Sequence, residues 1–475
     1  GDCGREHYTI SSFYDVLKIG STVTSSSYTK SSLMSVFGRL NYSYAGKYLL
    51  SATLRADGSS VLADGNKWGY FPSVAAGWRI SDEGFMSGTE DVLSNLKLRA
   101  SWGVAGNAAI DPYQTVTSLG DDYIYYDEEP ISGKIPGVMG NTSLTWETTK
   151  SWNIGLDFGF LNNRISGTLD FFQSKTTDLL YAQSASATTG FPNAMANVGE
   201  TKGSGIEISL NTLVVDKEFK WDINWSFSSA KDEVVALSNG VDRNISGRTG
   251  QIVGEQVSIF YDYEQDGCWG VGEFEQFKKE WSARHAGEEL AYMEGYGDPG
   301  TIKLIDKDDN GKIDDDDKIV FNRDPKAIFG MNNTFSYGGW TLGVLLYART
   351  GGYISYDMNT QIQTESANWG NLDYWTVKNQ GARTPAPGSN SSVMQTYKNA
   401  LAYEKANYVK IKDITLSYNL PSTVLEKAHL GSAKVYCSLK NFVTFSDIDN
   451  YDPERGGSIS FPLAKQVVFG LNLQF

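Results

Sequence analysis

Thr149-Lys150-Ser151-Trp152-Asn153-Ile154-Gly155-Leu156-Asp157-Phe158-Gly159-Phe160 alternates without a break. Successive side chains of an extended chain point to opposite faces. Thr149, Ser151, Asn153, Gly155, Asp157 and Gly159 therefore share one face, and Trp152, Ile154, Leu156, Phe158 and Phe160 the other. The pattern predicts a β-strand with one polar and one apolar side. Residues 47–57 repeat it, with Ser51, Thr53, Arg55 and Asp57 opposed to Tyr48, Leu50, Ala52, Leu54 and Ala56. In residues 221–228, Trp221, Ile223, Trp225 and Phe227 alternate with Asp222, Asn224, Ser226 and Ser228.

Working outward, about thirteen such segments follow: 34–44, 47–57, 71–80, 95–104, 148–161, 163–175, 203–214, 218–235, 327–337, 339–350, 407–420, 432–443 and 465–475. Many reach the nine to eleven residues, roughly, that a tilted strand needs to cross a bilayer. They exceed the five or six, roughly, that are usual in soluble sheets. The links alternate as well. Short ones stand at Ala45-Gly46, Asn162-Asn163, Val215-Asp216-Lys217 and Gly338, and 81–94 and 421–431 share their side. Long ones (58–70, 105–147, 176–202, 236–326, 351–406 and 444–464) fall between. Short turns at one end and long loops at the other are the connectivity of an outer-membrane barrel, with the long loops outside the cell. In the last segment Val467, Phe469, Leu471, Leu473 and Phe475 share an apolar face, an ending expected of barrels read by an insertion machinery.

Composition agrees. The 475 residues carry 27 Tyr, 22 Phe, 12 Trp and 49 Gly against 12 Pro and 3 His, a balance suited to all-β architecture. Mean hydropathy is −0.33, as expected where lipid-facing and lumen-facing residues cancel. No apolar run reaches the length of a membrane-spanning helix. A net charge of −15 argues against nucleic-acid binding, which needs clustered cations. Gly1-Asp2-Cys3-Gly4 adjoins no apolar stretch, so neither a signal peptide nor a lipidated Cys3 is expected; Cys3, Cys268 and Cys437 read as independent thiols.

Local motifs carry a resemblance further. They are Asn41-Tyr42-Ser43-Tyr44 with Lys47-Tyr48-Leu49, Arg55-Ala56-Asp57-Gly58-Ser59-Ser60, and Trp68-Gly69-Tyr70-Phe71-Pro72-Ser73 running into Gly77-Trp78-Arg79-Ile80-Ser81. Leu96-Lys97-Leu98-Arg99-Ala100-Ser101-Trp102-Gly103, Gly106-Asn107, Trp146-Glu147, Asn153-Ile154-Gly155, Thr176-Thr177-Asp178-Leu179-Leu180, Tyr374-Trp375-Thr376 and Pro453-Glu454 follow in order. Together they resemble the SusC/RagA family of TonB-dependent outer-membrane transporters. The resemblance implies an antiparallel up-and-down transmembrane barrel of about twenty-two strands, of which these would be the C-terminal thirteen or so. Residues 1–33 are then expected as an extracellular loop or fragment start, and 34–475 as barrel with a long extracellular loop at 236–326. An N-terminal plug, the TonB-contacting segment and the first strands are expected to lie outside this chain. The implied partners are a SusD-like surface lipoprotein, the TonB complex, the plug, lipid and an oligosaccharide or peptide substrate. The polar lumen would be lined by Arg39, Asn41, Arg55, Asp57, Arg79, Lys97, Arg99, Asp157, Asp170, Asp222 and Asn224.

One constellation has chemistry of its own. Asp306-Lys307-Asp308-Asp309-Asn310-Gly311-Lys312-Ile313-Asp314-Asp315-Asp316-Asp317 fits the calcium-loop pattern D-x-[DN]-x-[DN]-G-x5-[DE]. Asp306, Asp308 and Asn310 would offer side-chain oxygens, Lys312 its carbonyl, and Asp314 a direct or water-mediated contact. Asp317 takes the place of the usual bidentate Glu. A solvated acidic run accounts for Asp314 to Asp317 but not for Gly311 and Ile313. No helix pattern flanks the loop, so a structural Ca2+ ion is expected, without sensor-type opening.

The rest is spare: His7, His285 and His429 are far apart, with no zinc pair, nucleophile elbow or phosphate loop. No enzymatic activity is expected. Trp269, Trp281, Tyr292, Tyr296, Trp369, Tyr374 and Trp375 in the long loops either contact ligand or lid, or pack against one another. Two rival readings stand beside import: a non-transporting outer-membrane adhesin or structural barrel, and a secreted all-β glycan-active enzyme.

Overall fold

A computed structural model describes residues 3–14, 22–126, 129–356, 358–361, 373–389, 391–448, 451–458 and 463–475. Fourteen long strands form one antiparallel sheet in chain order. They are β1 (Cys3–Tyr14), β2 (Thr22–Tyr44), β3 (Tyr48–Ser59), β4 (Trp68–Arg79), β5 (Leu93–Asn107), β6 (Glu147–Phe160) and β7 (Ile165–Thr177). Then come β8 (Glu200–Asp216), β9 (Lys220–Ala236), β10 (Ala327–Tyr337), β11 (Trp340–Thr350), β12 (Tyr408–Asn419), β13 (Ser432–Ser446) and β14 (Gln466–Gln474). All thirteen expected segments are strands. The difference lies in residues 1–33, expected as a loop or start: β1 pairs with residues 22–33 of β2, from Cys3 opposite Leu33 to Tyr14 opposite Thr22. That stretch is dominated by Ser and Thr, so its alternation has little apolar amplitude and escapes a hydropathy reading.

By contact density the chain divides into two units, residues 1–206 with 232–242, and residues 207–231 with 243–475. In the first, register carries each face intact from strand to strand. Tyr42, Leu50, Ala76, Ala100, Ile154 and Phe171 are successive cross-strand partners, and so are Tyr44, Tyr48, Trp78, Leu98, Leu156 and Leu169. On the opposite face Arg39, Thr53, Ser73, Gly103, Ser151 and Ser174 form a polar row. A one-residue slip at any pairing would exchange the faces, so the alternation itself fixes register. The apolar rows are open: Tyr42, Leu50, Ile154 and Phe171 are 57%, 44%, 50% and 42% exposed. Apolar surface of this extent suits lipid, not water.

The second unit repeats the design. Trp221, Phe335, Leu342, Leu416, Cys437 and Phe469 are successive partners, while Asp222, Thr334, Gly343, Thr415 and Ser438 share the other face. Asn333, the one polar side chain among its neighbours on the apolar face, is buried and accepts a hydrogen bond from Trp221 Nε1 at 3.3 Å. Gly338 and Gly339 join β10 to β11 with φ of 54° and 88°, the two left-handed positions a tight hairpin requires. Aromatic rings gather near these short turns, with Trp340 and Tyr418 at 4.6 Å and, in the first unit, Tyr44, Tyr48 and Trp78 at 6.3 and 6.5 Å. Such bands mark the water boundary of membrane barrels.

Candidate functional site

The long connection between β9 and β10 is a folded body. It contains strands 243–246, 249–252, 259–262 and 319–322 in one small sheet, and a helix, α1 (Glu273–Arg284). Gly272, at φ 75°, lets the chain enter the helix, and Glu273 and Glu275 sit in its first turn, where the helix dipole favours anions. Phe274, Phe277 and Trp281, at i, i+3 and i+7, form the inward face. This spacing was the available signal for α1, which the reading of 236–326 as loop passed over. Trp269, Tyr296, Ile302, Leu304, Val393, Tyr397 and Leu401 complete the core, so part of the β11–β12 connection packs into the same body.

The acidic loop 306–317 lies on that core. Ile313 packs against it, and Gly311 holds φ of 79° where a Cβ would stand 2.7 Å from the Trp281 ring. These are the two residues that the solvated-run reading left without a cause. Carboxylate oxygens of Asp306, Asp308 and Asp317 lie within 4.8 Å of one another. Asp306 accepts from the Gly311 amide at 2.9 Å and from the Tyr292 hydroxyl at 2.8 Å. Asp317 is 1% exposed, with the amides of Lys307 and Asp314 donating to it at 2.7 and 2.8 Å. Burial, and then the charges of Asp306 and Asp308, push the Asp317 carboxyl above its ordinary range despite those two donors. A hard divalent cation with oxygen ligands would relieve that repulsion.

The remaining expected ligands are arranged differently. Asn310 donates to Asp308 at 2.8 Å while its amide oxygen accepts from the Lys312 amide at 3.0 Å. Asp314 accepts from the Asp316 amide at 3.0 Å, capping the turn Asp315–Asp317, and pairs with the Lys312 ammonium, which holds its carboxyl low. The structure thus gathers Asp306, Asp308 and Asp317, while Asn310 and Asp314 engage backbone amides through their side-chain oxygens. The fit is to a loop with a three-carboxylate nucleus.

Among the loop aromatics, Trp269, Trp281, Tyr296 and Trp375 are 3%, 0%, 1% and 6% exposed. The alternative of ligand or lid contact is therefore corrected for these four, which are core. Tyr296 closes its own hydroxyl on Leu304, receiving the amide at 2.8 Å. Tyr292 stacks on Tyr296 at 4.9 Å and spends its hydroxyl on Asp306, whereas Tyr374 is 46% exposed. Trp369 lies outside the described residues.

Two ion-pair groups escaped the sequence reading as groups. On the polar face, Arg99 reaches Asp157 at 2.7 Å and Asp170 at 3.1 Å, across three strands. Each was expected on that face, but pairing needs the register. Lys410 is buried and holds Asp452 at 2.7 Å and Glu454 at 2.9 Å, with Lys412 also on Glu454, anchoring the loop after β13 to β12. An irregularity between Ile411 and Asp413 sets Lys412 outside the ladder.

Comparison with known proteins follows the same outline. A family model described as TonB dependent receptor-like, beta-barrel, matches residues 4–441. The chain is 33% identical over 486 residues to TonB-dependent receptor P26 of Formosa agariphila, covering 95% of this chain and 47% of that protein. It is 30% identical over 483 residues to TonB-dependent receptor SusC of Bacteroides thetaiotaomicron, covering 94% and 44%. The RagAB peptide transporter structure superposes with a TM-score of 0.77 at 23% identity over 96% of this chain and 49% of that one, a likeness of fold. The chain spans about half the length of the curated relatives it matches. Its opposed polar and apolar rows are those of an outer-membrane wall, and with a family model matched along nearly its whole length this chain belongs to the TonB-dependent receptor β-barrel family, of SusC/RagA type, whose members are not enzymes.

Proposed function

We propose that this chain forms the C-terminal wall of an outer-membrane importer of oligosaccharides or peptides, driven through TonB and covered by a SusD-like surface lipoprotein. The observation that carries the reading is the pair of opposed faces: apolar rows for lipid, and polar rows with the Arg99–Asp157–Asp170 pairs for a hydrated lumen. The folded loop body favours import over a plain structural barrel, because a lid needs a fixed rim to close on. The RagAB peptide transporter, of like fold, supplies the peptide class, and the oligosaccharide class comes from the resemblance to the SusC/RagA family. In this orientation the short turns face the periplasm and the loop body faces outward. Uptake of labelled oligosaccharide or peptide by cells should vanish when the gene or TonB is deleted. A membrane-impermeant thiol reagent should label Thr188→Cys on whole cells and leave Asp216→Cys unmodified; equal labelling reverses the topology.

The same reading gives the acidic loop a structural Ca2+. Asp306, Asp308 and Asp317 would hold it, Asn310, the Lys312 carbonyl and Asp314 would join on binding, and the ion would neutralise the loop's charge and stiffen the rim. Affinity in the range of extracellular calcium modules, Kd about 10⁻⁴–10⁻³ M, suffices where calcium is millimolar.

A further inference from the structure

A polar cluster stands on the apolar face of the first unit, at its short-turn end. Glu83, in the turn after β4, folds back onto the aromatic row: its Oε1 accepts from the Tyr48 hydroxyl at 2.6 Å and from Trp78 Nε1 at 3.1 Å. Its Oε2 accepts from the Lys47 ammonium at 3.2 Å. A carboxylate offers about four lone pairs and an ammonium three N–H groups, which leaves about one acceptor position on Glu83 and two donors on Lys47. The side chains of Lys47 and Glu83 are 28% and 14% exposed. Arg79 and Asp82 beside them pair with each other at 3.9 Å. Tyr48 and Trp78 stack in parallel at 6.5 Å, with Tyr44 next to Tyr48. One row further along the strands, about 7 Å, Ala76 and Ala100 are cross-strand partners between Leu50 and Ile154. Two methyl side chains flanked by two branched ones leave a shallow trough beside the aromatic row.

Position and charge select the occupant. An outer-membrane wall turns this face to lipid, and its aromatic row lies at the water boundary, where headgroups stand. Phosphate oxygens accept from Lys47. A net anionic headgroup would bring its charge against Glu83, and a choline has no N–H to give Glu83 Oε2. A headgroup that joins a phosphodiester to a primary ammonium answers both charges at once. We infer that Lys47 and Glu83 form the headgroup site of one phosphatidylethanolamine-type lipid, with an acyl chain over Ala76 and Ala100. The site is independent of any cargo. It needs only that this face meets lipid, which Ile154→Arg measures separately.

Native mass spectrometry of the full-length protein, released from detergent carrying phosphatidylethanolamine and phosphatidylglycerol in equal amounts, tests it. Retained phosphatidylethanolamine should exceed phosphatidylglycerol about threefold, the weight of one exposed ion pair. Lys47→Gln should lower retention of both lipids, since both present a phosphate. Glu83→Gln keeps an oxygen for Tyr48 and Trp78, and should bring the two lipids to parity by removing the charge that opposes phosphatidylglycerol. Both substitutions lie in turns, and heat-modifiable gel mobility checks that each variant is assembled. Parity of the two lipids on the wild-type protein overturns the inference. So does a wild-type ratio and retention unchanged in both variants, which is how lipid held without a headgroup site behaves.

Discussion

Ile154→Arg tests directly whether the open apolar face meets lipid. Ile154 is 50% exposed near the middle of β6, with Ala100 and Phe171 as its cross-strand partners. Six residues of β6 follow it and seven precede it. At roughly 3.3 Å per residue the nearer end is about 20 Å away along the strand, beyond an arginine's reach to interfacial water. Its row offers Tyr42, Leu50, Ala76, Ala100 and Phe171, none of them carrying a negative charge to neutralise a guanidinium. On a water-facing sheet, replacing so exposed a residue changes stability by no more than about 0.5 kcal/mol. At the bilayer midplane it costs about 2–4 kcal/mol, roughly 30-fold to several-hundred-fold in the folding equilibrium. Ser151→Arg is the control, three residues away on the polar row between Gly103 and Ser174, and should stay within about 0.5 kcal/mol. The assay is denaturant titration of the full-length protein folded into lipid vesicles, read by heat-modifiable gel mobility. Equal costs at the two sites, or a negligible cost at Ile154, would refute the assignment of this face to lipid.

Four further outcomes follow from particular contacts. A Cβ on Gly155 would stand 2.5 Å from Asp170 Oδ1 and 2.6 Å from Arg99 Nη2, so Gly155→Val should cost about 1–3 kcal/mol in the same titration, more than Gly343→Val, where the nearest atom lies at 3.9 Å. Lys410→Met removes the buried partner of Asp452, while Glu454 keeps Lys412, and should destabilise by about 1–3 kcal/mol, with proteolysis appearing first in residues 451–458 by mass spectrometry of the fragments. Asp306→Ala with Asp308→Ala should abolish calcium protection of residues 306–317 against protease while the sheet stays assembled. Because the Asp317 carboxyl is held above its unfolded value, it adds stability to the cation-free loop below the unfolded carboxylate range and loses it as pH rises through the raised value. Calcium protection should therefore grow as pH rises through the acid range, and Asp317→Asn should flatten that dependence.

Most of the sheet was legible because its code is local. Alternation from Thr149 to Phe160 states which side chains share a face before any partner is known, and register then follows, since a slip would put Asp157 among the apolar rows. The first half of β2 was not legible, because a Ser/Thr-rich strand carries the backbone pattern without the hydropathy contrast, and in β1 the consecutive Arg5, Glu6 and His7 break the alternation. The acidic loop was legible in kind: Asp306, Asp308, Gly311, Ile313 and Asp317 stand at spacings with a mechanical meaning.

Tertiary structure alone decided the rest. The sequence places Trp269, Trp281, Tyr296 and Trp375 in loops, but only folding buries them: Trp269 and Tyr296 pack with Val393 and Leu401 from the next long connection, and Trp375 packs with Cys268. Arg99, Asp157 and Asp170 are individually polar-face residues in the sequence; their pairing exists because three strands align and Gly155 leaves room. Asp57 reads as one more lumen residue, and it is the convergence of Arg55 on a single one of its oxygens that leaves the other without a partner. Face and turn are set by neighbours along the chain, whereas burial, charge pairing and cavities are set by residues that only the fold brings together.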